Sequence, residues 1–211
     1  MKMKRLLLLV LAVMCMPLAA QVSDAKAVAL LDKLVATMKA DAPLQMGYSY
    51  TLCDDEGALV QKDKGVVVVD GARYALLMEN MKVWCDGETQ WSYSSDINEI
   101  YMTEASSDAA QNLSPLYVVE YYRSQYVASL VEKGGELFVT LKSPVAENDV
   151  DVVELLVSKQ TGRLLEVSVS MPGQGILRVG LNDYVANCGA EDSEFVCPVG
   201  KFPSVEIVDM R

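Results

Sequence analysis

Between residues 46 and 102 the chain turns back on itself every few residues, and few folds survive that pattern. Apolar residues alternate with small or polar ones in short runs at 46–52, 59–69, 73–78, 82–85, 90–94 and 98–102. A period of two places alternate side chains on opposite faces of an extended strand. The runs are separated by Asp54-Asp55-Glu56-Gly57, Asp70-Gly71, Glu79-Asn80, Asp86-Gly87 and Ser94-Ser95-Asp96. Asp-Gly pairs tolerate the positive φ of tight hairpins, so this stretch predicts a meander of six antiparallel strands.

Two amphipathic segments stand outside the meander. Residues 23–40 open with Ser23-Asp24, carry Val28, Leu31, Leu34, Val35 and Met38 at helical spacing, and end before Ala42-Pro43. After a small, polar stretch at 104–111, Ser114-Pro115 opens a second helix in which Tyr117, Val118, Tyr121 and Tyr122 share a face. Strands resume at 127–132, 137–141, 150–158, 164–171 and 176–185, followed by a cysteine-flanked loop and an extended tail at 205–208. The reading is a mainly β chain of about eleven strands and two helices, one domain over 21–211. So long a meander must cover one face or curl until that face is enclosed. The expected form is a strongly curved antiparallel sheet with the helices across its mouth.

The first twenty residues read as a secretory signal peptide. Lys2, Lys4 and Arg5 precede an apolar run at 6–16, and Pro17-Leu18-Ala19-Ala20 offers a cleavage site. A membrane anchor is one lesser alternative, and lipidation at Cys15 another, although Met14 stands where a small residue is needed. Cleavage leaves 191 of the 211 residues, and loss of three cations takes the formal charge from −11 to −14. Such a chain is repelled by nucleic acid and by anionic headgroups. Histidine is absent, which removes the usual base of hydrolytic triads and the commonest zinc ligand. No catalytic residue, metal or cofactor is expected. Cys53, Cys85, Cys188 and Cys197 remain after cleavage, without a CxxC pair. Four cysteines in an exported chain allow three pairings. Cys188–Cys197 across the loop GAEDSEFV, with Cys53–Cys85 left over, is the expected one; four free thiols are the alternative.

Residues 86–102, DGETQWSYSSDINEIYM, offer two readings. Asp86, Glu88, Asp96 and Glu99 suggest the paired carboxylates of a glycoside hydrolase. Three of the four lie in or beside turns, where acids are merely solvated. Trp91 and Tyr93 alternate with Gln90, Ser92 and Ser94, and Ile100 and Met102 follow on the next strand. That spacing reads instead as one wall of an apolar cavity.

In order and spacing these residues resemble the LolA family of periplasmic lipoprotein carriers, from the first helix to the end of the chain. Asp86, Gly87, Trp91 and Tyr93, followed by a polar turn and Glu99-Ile100, resemble the family's DGK-x-LW-x-Y segment. Asn112-Leu113-Ser114-Pro115-Leu116 resembles its Pro-started helix, and Phe195 through Pro203, Val205, Ile207 and Asp209 its closing pattern. The resemblance implies an unclosed β-barrel of about eleven strands with a helical lid, exported to the periplasm of a Gram-negative-type envelope. It implies a monomer that is not an enzyme. Acylated lipoproteins would be its cargo, and an inner-membrane release complex and an outer-membrane acceptor its partners. Tyr50, Leu52, Leu76, Met78, Trp91, Tyr93, Ile100 and Met102 would line the acyl cavity, and Leu31, Leu34, Met38, Tyr117, Val118 and Tyr121 would form the lid. An envelope sensor or assembly module on the same sheet is the alternative. The family's basic-Pro junction between the second and third strands is replaced here by Asp70-Gly71-Ala72, with Arg73 following.

Overall fold

The computed structural model describes residues 23–105, 114–145 and 149–211. The signal-peptide reading and most of the polar stretch at 104–111 fall outside these residues. The chain opens with helix α1 (Ala25–Ala40), then strands β1 (Leu44–Cys53), β2 (Leu59–Asp70), β3 (Arg73–Met78), β4 (Met81–Cys85), β5 (Thr89–Ser94) and β6 (Glu99–Glu104). Helix α2 (Pro115–Gln125) leads into β7 (Val127–Lys133), β8 (Glu136–Lys142), β9 (Val152–Ser158), β10 (Leu164–Met171) and β11 (Gly175–Val185). Two short 3-10 turns at Asp192–Phe195 and Val199–Lys201 precede β12 (Glu206–Asp209). Among the described residues no helix is long and apolar enough to cross a membrane.

All twelve strands join one unclosed, curved sheet in the order β12-β6-β5-β4-β3-β2-β1-β11-β10-β9-β8-β7. The two meanders are sewn together by β1 and β11, antiparallel from Gln45–Val185 to Cys53–Ile176. Gly71 at φ 61° and Gly87 at φ 98° take up the left-handed backbone of their turns, as the Asp-Gly pairs require. The tail adds one strand to the eleven expected. β12 pairs parallel with β6, Ile207 opposite Ile100, because the chain crosses the outer face before reaching that edge.

The sheet buries both faces. One carries α1 and α2, and its core includes Leu31, Leu34 and Met38 from α1, Leu44, Met46 and Tyr48 from β1, and Val139, Leu155 and Val167 from the second meander. Each such side chain contributes roughly 1.5–3 kcal/mol on full burial. Asp24 caps α1 through the Lys26 N–H at 2.8 Å, and its own N–H donates to the Ala128 carbonyl of β7 at 2.8 Å, fixing the helix to the sheet edge. Lys39–Glu120 (2.5 Å) and Arg123–Asp32 tie the two helices together. The buried stripe of α2 is Leu116, Val119 and Tyr122; of the face read from sequence, Tyr122 belongs to it, Tyr117 and Val118 pack half-buried beside it, and Tyr121 is exposed. Pro115 starts the helix one turn before Val119, and the i, i+3, i+6 row it sets points to the sheet.

The opposite face has its own apolar cluster of Val68, Ala75, Trp84, Ile100, Phe195 and Cys197, with Trp91, Tyr93, Met102, Cys188 and Phe202 packed against it. The segment after β11 forms this cover. Arg73 binds Asp192 (2.5 Å) and Asp70, and stacks over the Phe195 ring at 4.7 Å. All four described cysteines are free thiols, which corrects the pairing expected. Cys85 stands in the row Leu44–Val69–Tyr74–Cys85. Cys53 lies three strands away and nine residues along β1, about 30 Å from that row along the strand direction, far beyond the roughly 7 Å a bridge spans. The loop between Cys188 and Cys197 is not a polar loop needing a clasp: fully buried Phe195 and the Arg73–Asp192 pair anchor it.

Candidate functional site: the helix-covered face

Strand parity decides which side chains reach the helices. In β1 these are Leu44, Met46, Tyr48, Tyr50 and Leu52; Tyr50 stands between Asp63 and Val179, and Leu52 between Gln61 and Leu177. Leu76 and Met78 of β3 share that face, beside Val67 and Gly65. At the centre the side chains are closed off, with Met46 at 1% and Leu76 at 0% exposure. Towards the margins burial relaxes. Tyr50, Leu52, Met81, Met171 and Leu177 are half-buried, as are Tyr117 and Val118 of α2. Tyr121 is exposed and stacks on Tyr117 with ring centres 6.0 Å apart.

Two pockets open into this face. One, of about 350 Å³, lies between the first turn of α2 and the Gly71 and Gly87 turns, reaching buried Cys85 beneath the Lys39–Glu120 pair. The other, about 230 Å³, reaches Met46, Leu164 and Leu181 beside Arg163, which stacks over Tyr184 at 4.1 Å. The polar tips of two deep tyrosines are occupied. Tyr74 donates to Gln90 Oε1 at 2.5 Å and Tyr126 to the Val150 carbonyl at 2.6 Å. Burial, then Tyr50, raises the Tyr48 phenol, and burial, then Asp63, raises that of Tyr50. These groups stay neutral at physiological pH.

Trp91, Tyr93, Ile100 and Met102 do not belong to this wall. Trp84 faces Trp91, Trp91 faces Met102, and Tyr93 faces Ile100, all in the outer cluster. The parity read for Trp91 and Tyr93 was right, but the face was wrong, because β5 and β6 are covered on their outer side as well. The signal is in the sequence: two of the three phenylalanines, Phe195 in the cysteine-flanked loop and Phe202 just beyond it, fall between β11 and β12. Phe202 lies 4.3 Å from Tyr93 and 5.9 Å from Trp84, ring centre to ring centre.

The four carboxylates of 86–102 are also dispersed. Asp86 accepts the Glu88 and Thr89 N–H groups at 2.9 and 2.8 Å before β5, while Asp96 and Glu99 follow it. The six residues of β5 separate the two ends by about 20 Å, whereas paired glycosidase carboxylates stand roughly 5–9.5 Å apart. Sequence reading missed Asp63, a buried acid on the helix side of β2. Burial works to raise its pKa, but the Asn80, Lys64 and Glu79 N–H groups, at 2.9, 2.7 and 3.3 Å, hold it below the ordinary value. Its oxygens serve the β3–β4 turn and are poorly placed to act as a base.

A curved, unclosed sheet with an apolar face under two helices defines the class of protein. The profile of the family described as outer membrane lipoprotein carrier protein LolA matches residues 25–168, and the chain belongs to that family. Among solved structures, an uncharacterized conserved protein from Thermus thermophilus is similar over 87% of this chain and 99% of its own, at 11% identity and a TM-score of 0.57. A LolA superfamily protein from Nitrosomonas europaea is similar over 82% and 98%, at 9% identity and a TM-score of 0.46. A putative outer membrane lipoprotein-sorting protein domain from Vibrio parahaemolyticus is similar over 81% and 96%, at 8% and 0.45. No curated protein matches the sequence.

Proposed function

We propose that this protein is a periplasmic carrier that shields the acyl chains of lipoproteins against its helix-covered face and delivers them towards the outer membrane, with no catalytic step. Its signal-like N-terminus supports export. The observation that carries the reading is the graded burial of that face, sealed at the centre and half-open at Tyr50, Leu52, Leu177 and Met171. An acyl chain gains about 0.8 kcal/mol per buried methylene, so a lipid anchor needs such a surface to cross water. Tyr50, Leu52, Leu76 and Met78 are the wall in this proposal, and Leu31, Leu34 and Met38 of α1 with Tyr117 and Val118 of α2 the cover. An inner-membrane release complex and an outer-membrane acceptor would be its partners. A second reading, an envelope sensor or assembly module, is favoured by how completely Leu31, Met46, Val67, Leu76, Val139 and Leu155 fill the centre.

The test is titration with a fluorescent sixteen-carbon acyl probe. Wild type and Phe138→Asp, a change on the outer face, should bind it; Leu52→Asp should lose binding while keeping its circular dichroism, because the charge enters the apolar margin unpaired. A folded wild type that gives no probe response rejects the carrier and leaves the module reading.

A further inference from the structure

We propose that residues 59–64, the unpaired half of β2, are a docking edge on which an extended acidic peptide of a partner protein adds as a β-strand. This edge borders the helix-covered face at Tyr50 and Asp63, but the proposal does not rest on the acyl-carrier reading.

β2 is twelve residues long and pairs with β1 over nearly all of that length. β3 covers its other side only from Gly65 to Asp70. The cause is Asp63. Its carboxylate accepts the Glu79 and Asn80 N–H groups, turning the chain away from β2 immediately after β3. The two-residue turn Gly71-Ala72 makes Asp70 and Arg73 a hydrogen-bonded pair, so even-numbered residues of β2 point their backbone groups towards β3. Lys64 agrees, since its N–H donates to the Asp63 carboxylate at 2.7 Å. Lys62 therefore offers both its N–H and its C=O to the open edge. Exposed backbone groups of this kind are what strand addition uses.

The side chains specify the guest. A pocket of about 350 Å³ occupies the notch where β3 ends, bordered by Tyr50, Lys62, Asp63, Lys64, Glu79 and Asn80. Lys62 and Lys64 project from the outer face, are exposed, and form no ion pair among the described residues. With exposed Arg178, which stands across Thr51 from Lys62, they outnumber the neighbouring carboxylates Asp63 and Glu79. Leu59 and Val60, 55% and 60% exposed, follow at the hairpin end. The complementary strand carries carboxylates beside Lys62 and Lys64 and an apolar residue beside Leu59. The acids of the turn, Asp54, Asp55 and Glu56, keep the guest's carboxylates at the lysine end.

The probe is a fluorescein-labelled peptide alternating valine and glutamate over six residues, with a valine–lysine peptide as counterpart, read by anisotropy on the full exported chain. The expected result is binding of the acidic peptide alone, weakened as salt rises from about 50 to about 500 mM. Lys62→Gln should weaken binding about two- to threefold through lost charge. Lys62→Pro, which also removes the edge N–H, should weaken it about tenfold. Proline is tolerated where the N–H points off an edge, so its fold should persist. Should that variant fail to fold, amide exchange on the wild type decides: the Lys62 N–H must slow when the peptide binds. Equal binding of both peptides, an unchanged Lys62 exchange rate, or binding to phosphatidylglycerol vesicles in place of the peptide overturns the proposal.

Discussion

Cys197 and Cys85 sit on opposite faces of one sheet and share a fate. Burial pushes the Cys197 thiol up to about 11, and burial outweighs a Gly87 N–H to raise that of Cys85. A thiol reacts as its thiolate, so both should be inert in the native state. Titration with Ellman's reagent at pH 8 should modify only Cys53 and Cys188 of the folded chain made without residues 1–20, and all four thiols once urea is added. Four reactive thiols in the native protein would contradict the burial; none would mean that bridges form. The pH dependence has a defined sign. A folded pKa above the ordinary 9.0 means that the neutral thiol's contribution to stability is complete below pH 9 and lost as pH rises through about 11. Cys197→Ser should therefore flatten the alkaline fall of the melting temperature relative to wild type. Counting cysteines in a chain read as exported suggests bridges. What the count lacked was distance along and across the sheet, which only the register supplies.

At the scale of the element, periodicity told the truth about strands and helices and less about their surroundings. The Asp-Gly turns, the capped start of α1 and the Ser-Pro start of α2 were legible because each rests on local backbone chemistry. Which face of β5 meets the helices was not, since Trp91 and Tyr93 alternate identically whichever side they turn to. Register with Trp84 and the cover supplied by Phe202 decide it, and both are long-range facts. The consequence is measurable. Phe202→Ala should cost about 1–3 kcal/mol, less than a fully buried phenylalanine because Phe202 is half-buried. It should also shift tryptophan emission to the red as water reaches Trp84. Binding of an acyl probe should be unchanged in that variant, because the sheet lies between Phe202 and the helix-covered face. A Phe202→Ala protein that folds normally yet loses acyl binding would show that the two faces communicate or that the assignment of the site is wrong.

Across the whole molecule the two helices differ in how firmly they are held, and this points to the element that opens. α1 buries Ala27, Leu31, Leu34, Val35 and Met38 over sixteen residues and is bonded to the edge strand at its start. α2 is eleven residues long, buries Pro115, Leu116, Val119 and Tyr122, and exposes Tyr121, Ser124 and Gln125. The Lys39–Glu120 and Arg123–Asp32 pairs are partly exposed, and each adds only about 0–1 kcal/mol. Regions with few buried contacts open locally at a free energy below that of global unfolding. The amides of α2 should thus exchange with deuterium well before those of α1, and both before the central β1 and β11. A carrier whose cover is α2 must trade that opening for cargo contacts, so adding a saturating acyl ligand should slow exchange most in α2 and at Tyr50, Leu52 and Leu177. Salt should hasten α2 exchange slightly in the free protein, since its two ion pairs are screened while its apolar contacts are not. If α2 amides are as protected as those of β1 in the free protein, α2 is not the gate. Protection appearing instead around Trp91 and Tyr93 would return the cargo to the outer face.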